Sequence, residues 1–143
     1  MPLVRIDLIE GRTREQVRQI ADLVHEALVF AFRVPLDDRY QIIIEHRQEN
    51  VIVLDTGLGF PRSPALVILS VVSRPRSELE KVNFYQRVCE LLHERLDGNP
   101  GDLVISITTN SDADWSFGHG RAQFLTGELN GGTVRPLPET ENG

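Results

Sequence analysis

The proline at position 2 is the residue in this sequence with the clearest potential for chemistry. Removal of Met1 would leave the secondary amine of Pro2 as the first group of an alternating segment that runs to Ile9. A free secondary amine can transfer a proton or attack a carbonyl carbon. A proline also opens a strand without losing a ladder hydrogen bond. The catalytic and the structural interpretation of Pro2 both remain open at this point.

Two arginines flank a proline directly after the apolar segment 66–73. Pro75 disfavours helical backbone at Arg74, and alternate residues of an extended chain point the same way, so Arg74 and Arg76 are predicted to face together. A helix is predicted to start just after them, and its amino-terminal end favours anions over cations. Such a pair can bind a carboxylate or phosphate. The alternative is a solvated pair neutralised by nearby acidic residues.

The only tryptophan lies outside the regular patterns, in the glycine-rich segment 110–129. This segment is predicted to be non-helical. Its large aromatic side chains, Trp115, Phe117 and Phe124, must cover an apolar surface. They either cap the core or a subunit interface, or they form an apolar wall over a pocket.

Hydrophobic periodicity places these residues at the junctions of regular elements. Alternation over 2–9 predicts a strand, and Thr13 with Gln16 forms a capping-box signature for a helix that ends near Phe32. A short turn then carries Asp37 and Asp38. A second strand is predicted from about residue 40 to residue 45.

The same order of elements recurs 64 positions later without a gap. A strand over 66–73, a capping box at Ser77 and Glu80, a helix to Leu96 and a strand over 103–108 follow one another. The apolar face of this second helix is predicted to comprise Leu79, Val82, Tyr85, Cys89, Leu92 and Leu96.

This duplication predicts an α/β fold in which tandem β-α-β units form a four-stranded sheet backed by two helices. We expect one domain over 2–129, with repeats at about 2–62 and 66–129, and a flexible tail over 130–143. Pro2 corresponds to Leu66, which has no free amine, and Arg76 corresponds to Arg12. Any chemistry of the terminal amine would therefore be confined to one half of the fold.

Length, composition and charge limit the classes of protein to which this chain could belong. The chain has 143 residues, of which 41% are hydrophobic and 25% are charged, which suits one soluble domain. A net charge of −6 argues against general nucleic-acid binding. The sequence has no segment that would span a membrane and no secretory pattern, so a cytoplasmic location is expected. A single cysteine excludes an internal disulfide, and the four histidines show no metal-ligand spacing.

Taken together, these features resemble the tautomerase superfamily. The amino-terminal proline, the junction 8–13 and the tandem units carry that resemblance. Within the superfamily, four segments closely resemble the malonate semialdehyde decarboxylase family: 38–41, 55–59, 73–76 and 114–124. The resemblance runs from Pro2 to about Leu129, and its last segment is long and specific.

The resemblance implies a homotrimer and a decarboxylase that needs neither a metal nor an organic cofactor. Its substrate would be the small 3-oxo acid malonate semialdehyde, and its products acetaldehyde and carbon dioxide. Pro2 would be the catalytic amine, Asp38 its acidic partner, and Arg74 and Arg76 the groups that bind the substrate carboxylate. The hydrophobic wall of the site would consist of Trp115, Phe117, Phe124 and Leu129.

Two other functions remain compatible with the sequence. The first is a tautomerase or hydratase that acts on small 2-oxo acids, with Pro2 transferring protons or Asp38 activating water. The second is a noncatalytic trimeric binding protein in which Pro2 is structural and Arg74 and Arg76 hold an anionic metabolite. Retention of Met1 would favour the binding protein because it would block the amine.

Overall fold

The structure, a computed structural model, describes residues 2–129. The tail predicted over 130–143 and Met1 lie outside the described residues. Two β-α-β units follow one another along the chain, as the sequence predicts. The elements are β1 (Leu3–Ile9), α1 (Arg14–Phe32), β2 (Tyr40–His46), β3 (Val67–Ser73), α2 (Glu78–Leu96), β4 (Leu103–Thr109) and the short helix α3 (Gln123–Thr126).

Both long helices begin at the predicted capping boxes. The Thr13 hydroxyl accepts a hydrogen bond from the Gln16 amide, and the Ser77 hydroxyl accepts one from the Glu80 amide. Each cap satisfies amide groups that the first turn of a helix leaves without intrahelical partners. Both helices also end on a left-handed residue, Arg33 with φ 55° in α1 and its counterpart in α2.

The four strands form one mixed sheet in the order β2-β1-β3-β4. Strands are parallel within each unit, and the two units meet through an antiparallel pairing of β1 with β3. This arrangement has a pseudo-twofold axis between β1 and β3. As a result, β1 and β2 begin at the same edge of the sheet at which β3 and β4 end.

The hydrophobic core lies between the sheet and the two helices. Val4 and Ile6 of β1 and Leu69 of β3 are fully buried there, and Phe32 meets Phe84 with ring centroids 5.5 Å apart. Burial of side chains of this size contributes about 1.5–3 kcal/mol each. The core therefore fixes the distance between the end of α1 and the start of α2, two elements that flank the sheet edge described above.

The prediction of the apolar face of α2 is wrong for its first two residues. Leu79 and Val82 are exposed, with 69% and 44% of their surface accessible, whereas Phe84, Val88 and Leu91 are buried. Apolar residues cover more than one face of this helix, and contact with α1 selects the face that is buried. Among the described residues, no helix is long and apolar enough to span a membrane.

Candidate active site

One edge of the sheet brings together the chemically active residues of the sequence. Pro2 directly precedes β1 and is buried. Leu3 lies opposite Val72 of β3, so the next step of the antiparallel register puts Pro2 beside Ser73. Asp38 lies two residues before the start of β2, the parallel neighbour of β1. The ends of three strands therefore surround the amino-terminal proline.

A cavity of about 320 Å³ opens beside this edge. It falls at the lower end of the range for small-molecule sites, about 300–1,000 Å³. Asp38, Arg74, Arg76 and Leu129 line it together with residues 32–35 from the end of α1. The arginine pair, Asp38 and Leu129 thus share one cavity.

Arg76 is held by backbone and side-chain groups of the cavity wall. Its Nη1 donates to the carbonyl of Phe32 at 2.9 Å, and its Nε donates to the Ser73 hydroxyl at 3.4 Å. The guanidinium also lies 4.9 Å from the centroid of the Phe32 ring. Partial burial lowers the pKa of Arg76 from its ordinary value, and the nearby Arg74 adds to that effect. Arg76 is therefore a cation with reduced hydration, a state that favours binding of an anion.

Arg74 is fixed by an acidic residue and by an aromatic ring. Its Nη1 donates to Asp112 Oδ1 at 3.1 Å, and its guanidinium carbon lies 3.8 Å from the centroid of Phe124. The predicted alternative of neutralisation by a nearby acid thus applies in part to Arg74. Asp112 lies in the 3-10 turn Asp112–Asp114 after β4. Acidic residues are common in turns, so the sequence around Asp112 does not indicate that it pairs with Arg74.

Arg33, the third arginine in the cavity, was not predicted from the sequence. Arg33 lies at the carboxyl end of α1 in left-handed backbone, with φ 55°, and lines the cavity with Arg74 and Arg76. Such backbone is uncommon for a residue other than glycine, asparagine or aspartate. Three guanidinium groups and one carboxylate line the cavity, so its charge favours a small anion.

Asp38 is buried just before the start of β2, with 7% of its surface exposed. The turn that carries it is fixed by His25, whose Nε2 donates to the Leu36 carbonyl at 2.8 Å. Burial raises the pKa of Asp38, and the charge of Asp37 raises it further, although His25 and Arg76 act in the opposite direction. The effect of burial on the pKa of Asp38 therefore exceeds the opposing effects of His25 and Arg76.

We expect Asp38→Asn to raise the free energy of unfolding at pH 7 relative to the parent protein. The raised pKa means that ionised Asp38 destabilises the native state, whereas protonated Asp38 does not. The gain should vanish below about pH 4, where the residue is protonated in both folded and unfolded chains, and should grow as pH rises. Urea denaturation of both proteins across this pH range measures it. A gain that is absent at pH 7, or that grows towards low pH, would contradict the prediction.

The aromatic residues of the glycine-rich segment form a continuous cluster that reaches Arg74. Trp115 stacks on Phe117 at 5.3 Å with an interplanar angle of 10°, and Phe117 meets the edge of Phe124 at 5.4 Å. Tyr40, which sequence analysis did not select, lies 5.5 Å from Phe117. The prediction of a non-helical segment is wrong over Gln123–Thr126, where the single turn of α3 places Phe124 beneath the guanidinium of Arg74.

The pseudo-twofold counterpart of the cavity lies at the opposite sheet edge. There Arg12 donates to the carbonyl of Ala65, and the buried Asp102 accepts hydrogen bonds from the Ser63 amide and hydroxyl, both at 2.6 Å. Leu66 occupies the position equivalent to Pro2. Arg12 and Asp102 thus form hydrogen bonds within the chain at this edge. Arg12 does not line the cavity of Arg74 and Arg76.

The cavity can bind a small carboxylate, and Pro2, which does not line the cavity, lies at the same sheet edge. Over residues 2–129, no group of three or more His, Cys, Asp or Glu side chains is placed to hold a metal ion. The ionisable groups that line the cavity are the three arginines and Asp38. The chemistry that these groups themselves supply is anion binding, hydrogen bonding and proton transfer.

Two family models described as tautomerase enzymes match the chain, one over residues 38–118 and one over residues 2–60. The "Probable tautomerase YrdN" of Bacillus subtilis (strain 168) is 51% identical over 133 residues, which cover 90% of this chain and all of the relative.

Two solved structures share both fold and sequence with the chain. A malonate semialdehyde decarboxylase structure, described as a basis for decarboxylase and hydratase activities, superposes with a TM-score of 0.87 at 49% identity, covering 89% of this chain and 98% of the other. A malonate semialdehyde decarboxylase inhibited by 3-bromopropiolate gives a TM-score of 0.86 at 44% identity, with 90% and 98% covered. The family models and these relatives agree with the duplicated fold: the chain belongs to the tautomerase superfamily.

Proposed function

We propose that this protein catalyses the cofactor-independent decarboxylation of malonate semialdehyde to acetaldehyde and carbon dioxide. The observation that carries the proposal is the convergence of Arg74, Arg76 and Asp38 on one small cavity at the sheet edge where Pro2 begins the fold. The likeness to two malonate semialdehyde decarboxylases at 49% and 44% identity supports it. A tautomerase scaffold alone would not, because one fold hosts several reactions.

Arg74 and Arg76 bind the substrate carboxylate in this proposal. Each already has a fixed orientation, through Asp112 and Phe124 for Arg74 and through Phe32 and Ser73 for Arg76. Guanidinium groups held in this way lose little side-chain entropy on binding a carboxylate. They can therefore hold the acid in one orientation rather than merely attract it.

Pro2 acts on the carbonyl group of the substrate. When the carbon–carbon bond to the carboxylate breaks, carbon dioxide leaves and the electron pair passes to the carbonyl, giving the enolate of acetaldehyde, which then takes a proton on carbon. A cation at the carbonyl lowers this barrier. Protonated Pro2 can donate a hydrogen bond to the oxygen. Alternatively, neutral Pro2 can attack the aldehyde and, with loss of water, form an iminium ion, which is necessarily cationic for a secondary amine. Loss of carbon dioxide then gives an enamine, which takes a proton on carbon and is hydrolysed to acetaldehyde and free Pro2.

Asp38 and the hydrophobic wall influence whether the Pro2 amine is protonated. The carboxylate of Asp38 favours protonated Pro2, whereas Arg74, Arg76 and an apolar environment favour the neutral form. The wall of Trp115, Phe117, Phe124 and Leu129 limits water around the substrate. Partial desolvation also disfavours the carboxylate charge that disappears as carbon dioxide forms.

The active assembly in this proposal is a homotrimer. Apolar side chains on and after β2 are exposed in the isolated chain: Ile42 is 52% exposed, Ile52 85% and Leu54 77%. Large exposed apolar side chains, where they lie together, commonly mark a contact between subunits. Contact between copies of the chain would cover them.

The experiment that tests the proposal is an assay for acetaldehyde formation from malonate semialdehyde. The protein should first be shown by intact mass to have lost Met1, and its native mass should correspond to three chains. Arg76→Ala is the site variant, and Arg14→Ala, an exposed arginine of α1, is the matched control. We expect turnover in the parent and in Arg14→Ala, and loss in Arg76→Ala. A processed parent protein that forms no acetaldehyde would refute the decarboxylase assignment.

A tautomerase or hydratase acting on small 2-oxo acids is the second candidate. The identity of 51% to a probable tautomerase favours it, and the same Pro2 would transfer protons or Asp38 would activate water. The chain should be tested with a 2-oxo acid in the same preparation. Turnover of that acid without acetaldehyde formation would select this candidate.

A further inference from the structure

The loop that carries Phe117 has an unusual backbone. Gly118, His119 and Gly120 are consecutive left-handed residues, with φ values of 136°, 59° and 68°. A run of this kind forms no regular ladder of backbone hydrogen bonds, and its polar groups need other partners. The loop follows the 3-10 turn Asp112–Asp114 and leads into α3. Its position beside the aromatic cluster must therefore be fixed by side chains.

Gln123 supplies two of these hydrogen bonds. Its Oε1 accepts from the Phe117 amide at 2.9 Å, and its Nε2 donates to the Gly118 carbonyl at 3.0 Å. The side chain is buried, with 9% of its surface exposed, and it belongs to the first residue of α3. One side-chain amide thus binds the Phe117 N–H and the Gly118 carbonyl, the two backbone groups that flank the peptide unit between these residues.

The Phe117 side chain on this backbone contacts three other members of the aromatic cluster. The Phe117 ring contacts Tyr40, Trp115 and Phe124 at centroid distances of 5.5, 5.3 and 5.4 Å. Phe124, the residue after Gln123, lies under the guanidinium of Arg74 at 3.8 Å. A shift of the Phe117 backbone would therefore move the wall and alter the packing beneath Arg74.

We propose that Gln123 is a positioning residue that fixes the aromatic wall against Arg74 and so sets the shape of the substrate site. The inference rests on the proposed function in one respect, namely that the wall faces the substrate. Loss of the Gln123 amide removes the partner of the Phe117 N–H and one of two hydrogen bonds to the Gly118 carbonyl, which also accepts from the Arg121 amide at 3.3 Å. Polar groups that lose a partner in this way are unfavourable until another partner replaces it. The loop is expected to move until water reaches them.

Gln123→Met tests the proposal because methionine has nearly the same length and no amide. Trp115 is the only tryptophan, so its near-ultraviolet circular dichroism and fluorescence report the stacking on Phe117 without any substrate. We expect Gln123→Met to lose most of the Trp115 dichroism. In the assay, kcat should fall about 10-fold to 100-fold, since small misplacements at a site have effects of this size, and KM should change much less because Arg76 is untouched.

Two further variants separate positioning from loss of helix stability. Gln123→Glu keeps an oxygen acceptor for the Phe117 amide and should retain most of the dichroism. Thr126→Val removes hydroxyl hydrogen bonds to the Gln123 carbonyl and to Glu128 within the same segment, but touches no part of the loop. It should resemble the parent. An unchanged dichroism and kcat in Gln123→Met, or equal losses in Gln123→Met and Thr126→Val, would overturn the proposal.

Hydrogen exchange in the parent protein covers the case in which Gln123→Met does not fold. The Phe117 amide should exchange far more slowly than the amides of Gly118 and Gly120, because Gln123 accepts its hydrogen bond. Equal exchange rates would overturn the proposal. The optical and exchange measurements need no turnover, so they remain decisive even if the protein proves not to be a decarboxylase.

Discussion

Pro2→Ala should lower kcat/KM for malonate semialdehyde by about 100-fold or more, the range over which a positioned proton-transfer or covalent group contributes. Alanine leaves a primary amine at the start of β1. A primary amine forms an imine that can lose its proton and become neutral, whereas the iminium of a proline cannot. It also lacks the ring that packs at this buried position beside Ser73. Steady-state acetaldehyde formation by the two processed proteins measures the effect.

An amino-terminal extension is the matched control for this prediction. One added residue before Pro2 keeps the proline ring but converts its amine to an amide. We expect this extended chain to lose activity at least as severely as Pro2→Ala. An extended chain with full activity would show that the amine has no part in catalysis and that Pro2 is structural.

Reduction by borohydride during turnover distinguishes the two routes open to Pro2. An iminium ion is reduced to a stable tertiary amine, which adds mass to the amino-terminal peptide. A hydrogen bond from protonated Pro2 to the substrate carbonyl leaves no such product. The extended chain should carry no modification at Pro2 on either route, because its proline nitrogen is an amide.

Local chemistry explains why the sequence predicts the helix starts so closely. Thr13 with Gln16 and Ser77 with Glu80 satisfy amide groups within a few residues of one another, so the pattern and the structure depend on the same contacts. The same reasoning predicts the cationic site, because Pro75 restricts the backbone between two arginines. These features require no knowledge of distant parts of the chain.

The features that sequence analysis missed depend on packing between distant segments. Leu79 and Phe84 are both suitable for a buried helix face, and the contact of α2 with α1 leaves Leu79 exposed and buries Phe84. Asp112 reaches Arg74 across 38 positions of sequence. Arg33 enters the cavity only because α1 ends on left-handed backbone. No periodicity or spacing in one sequence records contacts of this kind.

Arg74→Lys should lower kcat by about 10-fold to 100-fold although the charge is conserved, because lysine and arginine are not equivalent at stacked and paired sites. The planar guanidinium of Arg74 lies on Phe124 and donates to Asp112 at the same time. A lysine ammonium can retain the ion pair, but it cannot stack flat on the ring. The substrate carboxylate would then lose one of its two fixed partners.

This prediction separates orientation from simple attraction. Tight binding of the carboxylate stabilises the ground state, whose charge leaves as carbon dioxide forms, so uniform binding would not raise kcat. The benefit of two guanidinium groups is to hold the breaking bond perpendicular to the carbonyl plane, where its electrons overlap the acceptor orbital. Arg121→Lys, an exposed arginine 3.7 Å from Glu128, is the control and should leave kcat unchanged. If Arg74→Lys raises KM with kcat intact, Arg74 only attracts the substrate and the orientation role is rejected.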